Sequence, residues 1–402
     1  MDTLLILGIE KLEIDWTRRE SNNYAKLFSG ISDLKKEKYY YQKDDEGIFF
    51  KKGEAFSATL SRVLLRMDLL GYSMKKVEEL YNNHLNSWKD YHNDSILLKF
   101  DDFCKKIKNL NLDSIEIKDN VNYSEGFDDG EYFKECIADN LGIDCDIYDY
   151  VFYENIDPLI VLRLLGENKD NLGRKIIWRF LESEMDILEV QKFNKNSVSH
   201  LDVRDKYLLI TEGKTDTYVL ETAIDKLYPE IKDFFYFIDM EENYPFTGTG
   251  NLTNFTMGLT KINPLNKILI IFDNDTEGIF KFTKCNSLQL PDNMQIMKLP
   301  DLKSDFITRG PSGDKTMQVD GMAVAIECFL DLNYKQITDP IIRWKSYIQQ
   351  LNRYQGALDN KEKYIKLYKN GLKDVNYDFS KLKQLIDCII LECSDLGGRI
   401  KN

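Results

Sequence analysis

Two short runs carry the clearest hydrophobic patterning. Tyr207-Leu208-Leu209-Ile210 is followed at once by Thr211-Glu212-Gly213-Lys214-Thr215-Asp216, and Ile268-Leu269-Ile270-Ile271-Phe272 by Asp273-Asn274-Asp275-Thr276-Glu277-Gly278. A continuous apolar run of this length suits a strand buried on both faces of a parallel sheet. Phe234–Ile238 and Met294–Leu299 read as two further strands. Asp216 to Leu227 reads as an amphipathic helix with Tyr218, Val219, Ala223, Ile224 and Leu227 on one side. In the first half, Lys11 to Trp16 alternates like a strand. Residues 53–84 read as two helices broken at Gly71, with Phe56, Leu60, Val63, Leu64, Met67 and Leu70 at helical spacing. Residues 158–192 also read as helix, through Ile160, Leu164, Ile176, Ile177, Phe180 and Leu188. Asp320-Gly321 is expected to open a helix carrying Ile326 and Glu327. The stretch from 331 to 402 reads as two or three more helices.

The chemistry sits at the strand ends. Ligands in open α/β sheets bind beyond the carboxyl ends of the strands, so Glu212, Asp216, Asp273, Asp275 and Glu277 are expected at one edge. Carboxylates gathered this way repel one another, and an all-oxygen set suits Mg²⁺ or Mn²⁺. Two acids plus Glu277 exceed what capping the next helix requires, which favours a metal role for Asp273 and Asp275. Asp239-Met240-Glu241-Glu242 and Gly248-Thr249-Gly250 follow another strand and are candidates to line the same cleft. Lys214, at a helix start behind Gly213, is placed to add positive charge for phosphate. The P-loop pattern is excluded, because Leu208 stands where that motif needs glycine.

Glu-Gly-Lys-Thr-Asp at 212–216 followed by Asp-Asn-Asp at 273–275 resembles the Toprim domain of topoisomerases, bacterial primases, RecR-like repair proteins and OLD-type nucleases. The resemblance implies that the glutamate is an acid/base or metal ligand and that the paired aspartates hold Mg²⁺ or Mn²⁺. With Asp216 supporting either role and Lys214 adding charge, Glu212, Asp216 and Lys214 are the expected catalytic group, and Glu277 is counted with Glu212, Asp273 and Asp275 as an expected metal ligand. In related nucleases a later acid can complete a second metal site, which makes Glu327 a candidate. Leu7 to Trp16 and Arg66-Met67-Asp68-Leu69-Leu70-Gly71-Tyr72 resemble the HEPN/Toprim-type N-terminal domain. The resemblance runs on through Phe234–Gly250 and Trp344–Lys363. HEPN ribonucleases use an Arg-x(4–6)-His motif; His84, His92 and His200 lack such an arginine, so this half is expected to serve architecture, partner contact or regulation. Asp15 and Trp16 read more readily as packing than as a site.

Composition refines this. The net charge is −13, yet residues 331–402 hold 13 Lys and Arg against 9 Asp and Glu. A basic C-terminal region is compatible with phosphate contact. There, bases interleave with aromatics over 341–356, a pattern read mainly as packing. Seven cysteines lack any Cys-x-x-Cys spacing, so reduced thiols and a cytoplasmic location are expected. No window approaches the roughly 18 apolar residues of a membrane span. The missing zinc-ligand spacing argues against a primase, and no topoisomerase companion domain is recognisable.

The sequence therefore predicts a mainly parallel α/β Toprim domain over 201–330, an α-rich N-terminal domain over 1–200 and a C-terminal helical extension over 331–402. The expected function is metal-dependent phosphodiester cleavage of DNA or RNA, tRNA included, as an effector of abortive infection in bacterial defence against phage. That role, with a partner defence protein or homo-oligomer, comes from resemblance alone. The alternative is a catalytically silent or partner-dependent Toprim protein that binds nucleic acid or a nucleotide signal.

Overall fold

The computed structural model describes residues 4–18, 24–41, 49–92, 97–115, 131–180, 201–238, 250–262, 264–311, 313–335 and 339–399. The chain divides into two compact units, Met1–Leu201 and Asp202–Asn402.

The first unit is built on a five-stranded antiparallel sheet. Its strands are β1 (Leu4–Ile9), β2 (Leu12–Arg18), β3 (Leu34–Tyr41), β4 (Phe49–Thr59) and β5 (Lys175–Phe180), in the order β2-β1-β5-β4-β3. Helices α1 (Leu60–Leu69), α2 (Met74–Lys89), α3 (Phe100–Lys108), α4 (Ile147–Glu154) and α5 (Pro158–Leu165) share one core with it. Ser73 caps α2 and Asp157 caps α5, each accepting a first-turn amide. Trp178 is 2% exposed, stacked on Phe56 and Phe28 with Tyr24 edge-on.

This unit is a mixture of sheet and helix, not the α-rich domain expected. The helix assigned from residue 53 begins at Leu60, because β4 runs into α1 without a loop and puts Phe56 in helical register with Leu60 and Val63. Ile176, Ile177 and Phe180 belong to β5, where β-branched and aromatic residues pack well.

The characteristic residues of this half have structural roles. Arg66, 2% exposed, donates from Nε to the Lys26 carbonyl at 2.9 Å. Tyr72 donates to Asp157 at 2.7 Å, and Asp15 accepts from Tyr24. Trp16 packs near Tyr132. His84 stacks on Phe152 and His92 on Trp88, while His200 lies outside the described residues.

The second unit contains β6 (Tyr207–Ile210), β7 (Phe235–Ile238), β8 (Lys267–Phe272), the two-residue β9 (Asn274–Asp275) and β10 (Met294–Lys298). A four-stranded parallel sheet runs β10-β8-β6-β7. Every residue of β8 is buried, as its unbroken apolar run requires. Helices α6 (Lys214–Leu227), α7 (Gly250–Ile262) and α8 (Thr276–Asn286) follow β6, β7 and β9 in sequence.

Beyond these, β11 (Asp305–Gly310), β12 (Gly313–Gln318), β14 (Ile341–Ile348) and β15 (Arg353–Leu358) form a second sheet ordered β12-β11-β14-β15. The short β13 (Ala323–Val324) pairs with β9. The unit ends in α9 (Lys361–Gly371) and α10 (Ser380–Arg399). Tyr207 of β6 donates to the Cys393 carbonyl of α10 at 2.7 Å.

Two expectations are corrected here. Ile341–Ile348 and Arg353–Leu358 are strands joined by a 3-10 turn at Gln349–Leu351, and the α-helices of this stretch are Lys361–Gly371 and Ser380–Arg399. The helix expected after Asp320-Gly321 is β13 and a single 3-10 turn at Ile326–Phe329, because Gly321 adopts φ 75° and redirects the chain.

Candidate functional site

Register places the site. Ile210 of β6 lies opposite Ile270 of β8. Two residues further along β6 comes Glu212; three further along β8 comes Asp273. The Glu212 carboxylate accepts the Asp273 backbone amide.

The turn after Glu212 is braced. Thr211 and Thr217 hydroxyls lie 3.0 Å apart, and Asp216 accepts the Gly213 amide at 3.1 Å. That bond fixes Asp216 in the first turn of α6, facing back toward the strand end. After β8, Asp275 caps α8 by accepting the Gly278 amide at 2.7 Å, while Gln355 of β15 donates to its other oxygen. Gln355 also accepts the Glu277 amide at 3.1 Å. Gly278 is required by contact: a Cβ there would lie 2.2 Å from the Asp273 carbonyl oxygen. Asn274, fully buried, donates to Asp301 at 2.8 Å.

Two lysines complete the cluster. Lys281, on the inner face of α8, places Nζ 3.8 Å from Glu212; its side chain is 9% exposed and Nζ has no hydrogen-bond partner. Lys361, the first residue of α9, pairs with the buried Glu327 at 3.1 Å.

The electrostatics follow from burial and crowding. Burial, then the neighbouring Asp216, Glu212, Asp275 and Glu327, hold the Asp273 carboxyl well above its ordinary range. Asp216 is pushed up to about 7 by burial and by Glu327 and Glu212, against the Gly213 amide and Lys361. Glu212 is raised by burial and by Asp275, with Lys281 and the Asp273 amide opposing. Asp275 is raised by burial although Gly278, Gln355 and Lys281 pull it down. These carboxyls therefore sense one another across the strand ends.

The structure brings together Glu212, Asp216, Asp273, Asp275 and Glu327. It leaves Glu277 exposed on the first turn of α8 and Lys214 exposed at the start of α6. Lys281 pairs with Glu212 of the cluster and Lys361 with Glu327. Residues 239–249, with their candidate acids and glycines, lie outside the described residues; Gly250 opens α7. Sequence reading missed Lys281, Lys361 and Gln355. Lys281 had a signal, since it falls on the buried stripe of α8 with Gly278 and Cys285. Lys361 and Gln355 had none, because they arrive from a separate sheet and helix.

Among the described residues, no group of three or more histidine, cysteine, aspartate or glutamate side chains is arranged to hold a metal ion. The donor chemistry nonetheless fits a hard cation: the donors are all oxygens, and Glu212 Oε1 is buried without a hydrogen-bond partner. Cys104, Cys145, Cys285, Cys328, Cys388 and Cys393 are free thiols. No helix among the described residues is long and apolar enough to cross a membrane.

No curated protein and no solved structure matches the chain. A family model does: residues 1–183 match HEPN/Toprim N-terminal domain 1. That domain leads into a helix-flanked parallel sheet, and the match supports a HEPN/Toprim-associated family protein.

Proposed function

We propose that the second unit is a Toprim domain and that the chain is a divalent-metal-dependent nuclease acting on DNA or RNA. The carrying observation is the gathering of Glu212, Asp216, Asp273 and Asp275 at the carboxyl edge of a parallel sheet, every one with its proton affinity raised. Burial and mutual repulsion raise these affinities, and crowded, buried carboxylates at a strand edge mark a candidate functional site.

Asp273, Asp275 and Glu212 would hold Mg²⁺ or Mn²⁺, which when bound supplies Lewis-acid stabilisation of the developing phosphoryl charge. Alternatively Glu212, whose Oε1 has no hydrogen-bond partner, would take the proton of an attacking water. Asp216 holds or gives up a proton near neutrality. An effector role against phage rests on the family resemblance.

The test is incubation of the chain with Mg²⁺ or Mn²⁺ and plasmid DNA, single strands or total tRNA. Cleavage of one class is expected, lost at least 10³-fold in Glu212→Ala and Asp273→Ala while the fold is retained. Undiminished cleavage in both variants would refute the assignment. For the defence role, a wild-type chain that leaves phage plating no different from the Asp273→Ala chain would count against it.

A further inference from the structure

Residues 341–358 hold Arg343, Lys345 and Arg353 but neither an aspartate nor a glutamate, in a chain with 67 of them. The aromatics interleaved with these bases pack only in part. β14 and β15 place Tyr347 directly opposite Tyr354. Both are 47% exposed, with their rings 4.9 Å apart and the Trp344 ring 5.8 Å from Tyr354. A cross-strand aromatic pair steadies a hairpin, but that contact does not require both rings to stay half-exposed.

The rings are fitted to the sheet. Gly310 of β11 and Gly356 of β15 make room for Trp344: a Cβ on either would lie 2.8 or 2.9 Å from the indole. Tyr347 donates its hydroxyl to Asn352, the residue that turns the chain into β15 at φ 52°. Arg343 is held by Asp359 at 2.7 Å. Lys345 and Arg353, both exposed, pair with no acid among the described residues.

This face adjoins the carboxylate cluster through consecutive residues of one strand. The Tyr354 carbonyl accepts from Thr276 at 2.7 Å, and Gln355 donates to Asp275 and accepts the Glu277 amide. Side chains alternate along a strand, so Arg353 and Gln355 turn to the side of the acids and Tyr354 to the aromatic face. β15 is the last strand of the order β12-β11-β14-β15, so only its edge divides the two.

Resting on the nuclease reading, we propose that Trp344, Tyr347 and Tyr354, flanked in sequence by Lys345 and Arg353, form a stacking platform for unpaired bases, and that the chain takes single-stranded nucleic acid in preference to duplex. Unpaired bases stack on aromatic side chains while basic neighbours meet the phosphates. In a duplex those base faces are already covered. The acid-free hairpin also gives a polyanion a place to approach on a chain of net charge −13.

Fluorescence anisotropy in EDTA tests this on the full-length chain. The probes are labelled single strands of DNA and of RNA, about 12 nucleotides long, and the duplexes they form with their complements; the two single-strand arms tell deoxyribose from ribose. The wild type is expected to bind at least one single strand about 10-fold more tightly than its duplex. Tyr354→Ala should weaken that binding about 5-fold or more, the loss of one stacked base, while Tyr354→Phe keeps it. Arg353→Gln should lower the slope of log K against log salt by about 0.7. Duplex binding equal to or tighter than single-strand binding overturns the proposal. So does a Tyr354→Ala chain, folded by circular dichroism, that binds as the wild type does, or an Arg353→Gln slope that does not move. Tyr354→Phe binding as weakly as Tyr354→Ala assigns the loss to the hydroxyl and overturns it as well. Should Tyr354→Ala not fold, the wild-type preference and the Arg353→Gln slope decide. Because binding is read without metal, loss of the preference with cleavage retained sinks the platform alone, and absent cleavage sinks only the nuclease reading.

Discussion

Asp216→Asn isolates the electrostatic strain of the site. The change keeps the shape of the side chain and its acceptor for the Gly213 amide, and removes the titrating group. Asp216 moves from 3.8 in the unfolded chain to about 7 in the native one. At 1.36 kcal/mol per unit, the ionised group costs the native state about 4 kcal/mol. The weaker bond from Gly213 to a carboxamide returns about 1 kcal/mol, leaving a net gain of about 3 kcal/mol. For a unit of about 200 residues, that corresponds to a Tm increase of about 6–12 °C. The direction with pH is fixed. Because the native pKa is raised, folding takes up a proton between about pH 4 and 7, so wild-type stability is fullest below pH 4 and falls as the pH rises through 7. The variant lacks that fall. Melts in EDTA at pH 4.5, 6, 7 and 8 should show a small gap at the acid end that reaches its full size by pH 8. Parallel curves for the two chains would mean that Asp216 is not a strained acid, and the account of the site would fail with it.

Two further outcomes follow from packing. Gly278→Ala places a methyl against the Asp273 carbonyl, and should cost about 2–3 kcal/mol; melts in EDTA check it, and an unchanged Tm would show that α8 does not press on the Asp273 backbone. Trp178→Ala empties the centre of the Tyr24, Phe28 and Phe56 cluster and should cost the first unit about 3–5 kcal/mol. Denaturant unfolding followed by circular dichroism reads that loss, and a shift under 1 kcal/mol would contradict the packing described.

Legibility in the sequence tracked how far each signal was local. The buried strands β6 and β8 and the acids at their ends were readable because a parallel central strand writes itself as an unbroken apolar run. Helix α6 was readable for the equivalent reason at period 3.6. Failure came where elements abut or where packing overrides pattern. Phe56 and Leu60 share helical spacing across the β4–α1 junction although one is in a strand. Ile341 to Tyr347 mixes bases with aromatics in an order that fits a helix surface, yet β14 is held by β11 and β15, partners that only the fold supplies. The candidate site divides the same way. Its acids announce themselves at strand ends, whereas Lys361 and Gln355 come from 80 to 149 positions away from the acids of the two motifs, with no motif of their own.

The contrast between acids inside and outside the site bears on why the cluster exists. At the surface, carboxylates are held below their ordinary range by the partners they meet: Asp113 by Arg174, Asp314 by Arg309, Asp359 by Arg343. Each of those pairings favours the charged form, as stabilising contacts do. Burial reverses the sign: Asp68 is raised despite the Arg163 beside it, and at the sheet edge Glu212, Asp216, Asp273 and Asp275 are all raised, with neighbouring carboxylates adding to the effect of burial. Selection for stability alone would replace such residues, since one neutral substitution relieves several repulsions at once. The fold instead commits a buried lysine, a glutamine from another sheet and a contact-limited glycine to keeping the acids where they repel. Strain reinforced from both α8 and β15 supports the proposal that a bound charge repays it. A divalent cation, with a phosphodiester as the group it acts on, has the charge and the ligand preference to do so.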